Sequence, residues 1–184
     1  MARAASGGAG AIGLAALAGW TFQIPALKSV LPGLVAMQPW TAIAILLCAS
    51  ALWLAASTSS AGQAASAVPA IALAGVIGLQ LTEYVTGYTF GTDLLLFPHA
   101  VLIGQAQLYP NPGRTAQAPV VMLFALAWAL LLAPRVRSST GRAIFSLMAT
   151  VPLALTVVVL FGYILSLELL DDIFRRNPVA LHTT

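Results

Sequence analysis

Few residues in this chain can do more than pack, and they stand out against their surroundings. Glu83 is the one acid set within an apolar run. Gln80 lies three residues before it and Gly87 four after, spacings that place all three on one helix face. An ionisable side chain at such depth marks a functional site by default. The plainer reading puts Glu83 at the outer end of its helix, where it reaches water. Tyr84 follows it directly. Asp93 and Arg114 flank a long loop. Together they suit a ligand pocket or a structural ion pair. Asp93 alone suits a helix cap, since "GTD" before "LLLF" is helix-start chemistry, and the cap is expected. His99 lies in the same loop and His182 near the far end, and the chain has no third histidine. Haem or chlorophyll ligation in a membrane uses a histidine within a span. Neither histidine has a carboxylate nearby in sequence to orient it, so no metal is expected. Ligand or partner contacts are therefore expected at Glu83, Tyr84, Asp93, His99 and Arg114, and contacts of a surface tail at Arg175, Arg176 and His182.

Other chemistry is missing from the sequence. There is no nucleophile–base pair, phosphate-cradling loop or Cys/His cluster, so a non-enzymatic protein is expected. Cys48 is the single cysteine and sits in an apolar run, which leaves no disulfide framework. No basic stripe for nucleic acid exists. No cofactor of the chain's own is expected; lipid or pigment would be bound through partner subunits.

The elements that must position these residues follow from composition. Of 184 residues, 60% are hydrophobic and 7% charged. The mean hydropathy is +0.94. A soluble domain carries about 25% charged residues, so an all-α integral membrane bundle is expected, as a single domain over 1–184. A bilayer core needs about 20 apolar residues in a helix. Five stretches suit: 8–27, 39–56, 67–84, 118–133 and 144–167, the last with Pro152 inside. No segment alternates as a barrel strand would. The N-terminal run "MARAASGGAGAIGLAALAGW" is expected as a retained first span rather than a cleaved leader.

Orientation rests on "PRVRSSTGR", where Arg135, Arg137 and Arg142 stand without an acid. The positive-inside rule places that loop in the cytoplasm. The N-terminus is then expected on the cytoplasmic side and the C-terminal tail 168–184 on the outer side. Glu83, Asp93, Glu168, Asp171 and Asp172 all fall on the outer side.

The outer loop, 85–117, is too apolar to be only a solvated connection. A short interfacial or re-entrant helix is expected over 93–102. Trp40 is expected to anchor the second span at headgroup depth. "LELLDDIFRR" is amphipathic and is expected on the outer surface. Gly and Ala at helical spacing, as in "GGAGAIGLAALAG", permit close helix contacts, within the bundle or with a partner.

A weak repeat sets 36–55 over 114–133 at constant offset. Each copy has a Pro-containing polar lead-in, an Ala/Leu-rich helix and a Trp inside. The pieces "LKSVLPGLVAMQPWTA", "GYTFGTDLLLF", "NPGRTAQAP" and "PVALHT", spread over 19–183, resemble the multi-span sensor module that precedes PAS, histidine-kinase or diguanylate-cyclase domains in bacteria. In that family, lead-ins such as "MxPNTAL", "PGRMSPNTAL" and "ALHTAL" open successive helices. Ala118-Pro119 departs from the Asn-Thr of the second lead-in. The family also continues past the third lead-in into further helices and an output domain, which are not in this sequence. The resemblance thus implies a sensor-like bundle without its output half. Two functions are expected from that: an accessory subunit of a larger membrane complex, photosynthetic or respiratory, or a stand-alone sensor or binding module recognising a small ligand at the outer face and signalling through a partner. Membrane lipids and other membrane subunits are the expected partners.

Overall fold

The structure, a computed structural model, describes residues 2–29, 36–105, 113–135 and 138–165. Every regular element among them is a helix, and none is a strand. The tail 168–184, with Arg175, Arg176 and His182, lies outside the described residues.

The first helix, α1 (Ala2–Phe22), begins earlier and stops sooner than the expected span 8–27. It stops because Gln23 turns left-handed, with φ 57°, and Ile24 is extended just before Pro25. A residue preceding proline is steered out of the helical region. The single turn α2 (Pro25–Lys28) follows. Pro39 opens α3 (Pro39–Ala55) from its first turn, where a missing N–H costs nothing. Ser59 caps α4 (Ser60–Ala65) by accepting from the Gly62 N–H. Ser66 joins α4 to α5 (Ala67–Thr86). That helix ends at Gly87, whose φ of 70° lets its N–H return to the Glu83 carbonyl at 3.0 Å.

The loop expected on the outer side departs from the single helix expected over 93–102. It makes a 3-10 turn at Thr92–Leu94 and then α6 (Pro98–Gln105). The break falls at Phe97, left-handed at φ 52° and forced out of helix by Pro98. The chain then forms α7 (Gln117–Leu132), a 3-10 turn at Ala133–Arg135, and α8 (Ser139–Leu165) with Pro152 inside.

Among the described residues, two stretches are long and apolar enough to cross a membrane, Ser60–Thr86 and Ser139–Val157, and the five expected spans are not all of that kind. The apolar helices α3 and α7 are shorter. Helix α1 packs on α3, α3 on α5 and α7, α5 on α7, and α7 on α8. The α1–α3 contact is close because Gly13 faces Leu46, and a Cβ there would stand 3.0 Å from the Ala42 carbonyl oxygen. Ala44, Leu73, Ile77, Val120, Leu123 and Ala127 form the central core of α3, α5 and α7. The outward faces are apolar too: Val68, Ile71, Leu147 and Leu153 are all exposed. A water-soluble bundle would place charge there.

Candidate functional site

The end of the bundle where α5 finishes and α7 begins, the outer end in the expected orientation, gathers most of the residues singled out by chemistry. Residues 73, 77, 80 and 83 follow the buried face of α5, so Glu83 points inward. It is 1% exposed and does not reach water as the plainer reading held. Its Oε1 accepts from the Phe90 N–H at 2.9 Å and the Thr92 hydroxyl at 3.2 Å. Its Oε2 lies 3.3 Å from Arg114 Nη2.

Asp93 does not act as a helix cap. It sits inside the 3-10 turn, 8% exposed, and its carboxylate faces Arg114. Arg114 Nε donates to Oδ2 at 3.0 Å and Nη2 donates to the same oxygen at 2.7 Å. Such charge-assisted bonds are roughly twice as strong as neutral ones. The structural ion pair, one of the sequence readings, describes this contact. Arg114 is itself 6% exposed. Burial opposes its charge, but the Asp93 hydrogen bonds and both carboxylates outweigh burial and raise its pKa above the ordinary value.

Neighbouring groups fix this cluster in place. Gly113 precedes Arg114 at φ 90°, and a Cβ there would run into the Asp93 carbonyl oxygen. Only glycine meets both demands. Thr115 is fully buried. Its carbonyl accepts from the Tyr84 hydroxyl at 2.7 Å and its hydroxyl from Thr41 at 3.2 Å. The Tyr84 ring lies 5.3 Å from the Arg114 guanidinium carbon. Trp40, expected as a headgroup anchor, donates its indole N–H to the Thr92 carbonyl at 2.8 Å. Trp20 does likewise to the Met37 carbonyl at 2.8 Å, and its ring stacks on Phe97. Lys28 Nζ stands 4.3 Å from the Trp20 ring centroid, and its burial lowers its pKa.

Of the expected contact residues, the structure brings Glu83, Tyr84, Asp93 and Arg114 together. His99 is exposed on the first turn of α6 and stands apart from them in the bonding pattern described. Sequence reasoning missed Gly113, Thr115, Thr92 and the role of Trp40. The signal for the first two was present in "NPGRT": a glycine before a lone arginine in an apolar loop. Among the described residues, no group of three or more His, Cys, Asp or Glu could hold a metal ion.

The arrangement works as a clasp. It ties the outer segment 90–97 to α5 and to the start of α7. Comparison with protein-family models, curated proteins and solved structures finds no match to this chain.

Proposed function

We propose that this chain is a non-enzymatic integral membrane protein, an accessory subunit of a larger membrane complex, photosynthetic or respiratory. In this reading α1, α3, α5, α7 and α8 cross the bacterial inner membrane, with the N-terminus cytoplasmic and the Asp93–Arg114 end periplasmic. The sensor-module likeness belongs to the same reading, as the origin of the bundle. The chain carries no cofactor of its own, and pigment or specifically bound lipid is held through neighbouring subunits.

The closure of the ion cluster carries the reading. Glu83, Asp93 and Arg114 are each less than 9% exposed, and their bonds go to one another and to the outer segment's backbone. A site for an external ligand keeps polar groups facing a cleft. These groups instead hold the bundle's own shape. The exposed apolar faces at Val68, Ile71, Leu147 and Leu153 add to this, since lipid or other membrane helices must cover them.

A second reading is a stand-alone sensor or binding module; among the described residues the expected outer-face ligand has no pocket in its support, but a cavity between α1, α3 and α7, away from the Asp93–Arg114 end, offers a different place for one. It measures about 330 Å³ and is lined by Ala9, Ile12, Ile45, Cys48 and Leu123. Small-molecule sites begin near that size, about 300 Å³.

Purification through a tag in mild detergent separates the two. The subunit reading expects a large assembly with fixed companions. Recovery of a stable, lone monomer overturns it. Binding of a small apolar molecule by that monomer, abolished by filling the cavity with Ala9→Leu, supports the second reading instead.

A further inference from the structure

The clasp does not balance its own charge. Two buried carboxylates face one guanidinium, a net charge of −1 when all are ionised. Lys28, another cation described near this end, gives its ammonium to Gln23 Oε1 at 2.8 Å. Among the described residues, three buried side-chain atoms have no hydrogen-bond partner: Glu83 Oε2, which has only its ionic contact with Arg114, Gln80 Oε1 and Gln38 Oε1. All three are acceptors. Buried polar groups are nearly always satisfied, and buried charges are paired or hold a metal ion. Among the described residues, the cluster has an excess of negative charge, acceptor oxygens without a hydrogen bond and no donor without one, a combination that suits a cation.

Gln80 and Glu83 can share one. They are 2% and 1% exposed and lie three residues apart on the buried face of α5. Side chains so spaced have Cβ atoms about 5–6 Å apart. Glu83 Oε1 accepts two hydrogen bonds, whereas Oε2 has an ionic contact with Arg114 Nη2 at 3.3 Å but no hydrogen bond, so Oε2 keeps a lone pair for an ion. Asp93 spends its oxygens on Arg114. Amide and carboxylate oxygens suit hard ions, whereas softer metals seek imidazole and thiolate. One excess negative charge matches a single positive one.

We propose that Gln80 and Glu83 bind one monovalent hard cation, of Na⁺ size, on the buried face of α5. The ion completes the clasp and ties its strength to the surrounding salt. This does not depend on the membrane-complex reading, because it concerns the chain alone.

Thermal unfolding of the full chain in detergent tests the site, with NaCl, KCl or choline chloride at constant ionic strength. The midpoint is expected to rise saturably with Na⁺, less with K⁺ and not with choline. Glu83→Gln keeps an oxygen for the Phe90 and Thr92 bonds but removes the charge, and should abolish the Na⁺ response. Gln80→Met should abolish it too, with little change in side-chain volume. Gln80→Glu adds a second charge and should shift the preference towards Ca²⁺. Equal midpoints in the three salts overturn the site. So does a full Na⁺ response in Gln80→Met, which also decides the matter should Glu83→Gln fail to fold.

Discussion

Two regions of this bundle are held by different kinds of bond. At the outer end, polar side chains reach across the fold. Trp20 bonds a residue 17 positions away, Arg114 one 21 away, Trp40 one 52 away and Thr41 one 74 away. At the Ser57–Ser66 turn, polar side chains bond only near neighbours. Ser59 holds Gly62, Gln63 holds the Ser57 carbonyl and Ser66 holds the Gln63 carbonyl, over three to six positions. The outer bonds decide which helices meet. The turn bonds only shape a connection. The difference also fits the distribution of acids: Glu83 and Asp93 both stand at the outer end, and the Ser57–Ser66 turn has no charged residue.

This contrast can be broken in order of expected effect. Arg114→Met removes the guanidinium and leaves two buried carboxylates unpaired. It should cost about 3–5 kcal/mol of stability, read by denaturant titration in detergent. If it costs no more than a surface change, the outer end is not the organising one. Gly113→Ala forces a Cβ into the Asp93 carbonyl at a φ that L side chains rarely adopt. A loss of about 1–3 kcal/mol is expected by the same titration. Ser59→Ala removes the α4 cap and should cost about 1 kcal/mol. Hydrogen exchange should then quicken in α4 without change around Glu83. Spread of faster exchange to the outer end would erase the distinction between local and long-range bonds. Trp40→Phe keeps a smaller aromatic ring and loses the bond to the Thr92 carbonyl, a bond of roughly 0.5–1.5 kcal/mol. Its faster exchange should be confined to the segment around Thr92.

The clasp's cation should not set a pH limit. A raised pKa on a cationic group gives stability that is complete below the unfolded value and fades as pH rises through the folded one. For Arg114 both values lie beyond the usual working range, so alkaline loss of stability should begin elsewhere.

The helices were legible because their cause is local. Ala- and Leu-rich runs bounded by proline announce α3, α5 and α7 wherever the chain folds. The clasp was only half legible. Glu83, Asp93 and Arg114 were conspicuous as charges in an apolar chain, but their pairing is tertiary, and spacing along the chain does not encode it. Asp93 illustrates the failure. "GTD" does start a helical turn, but Arg114 offers the carboxylate a stronger partner than a backbone N–H. The break at Phe97 had a local cause, Pro98, and the apolar character of "LLLFPHAVLIG" hid it.

The order of synthesis gives the clasp a history. Tyr84 and its acceptor Thr115 lie 31 residues apart, and Glu83 and Arg114 stand just before each of them. At about 5–20 residues per second, Glu83 is made roughly 2–6 s before the arginine that pairs with it. During that interval α5 carries an acid with no cationic partner, and the segment 90–97 has no anchor at the start of α7. The first helices can therefore assemble early, while the outer end closes late. A nascent chain stopped before residue 114 would keep that end open.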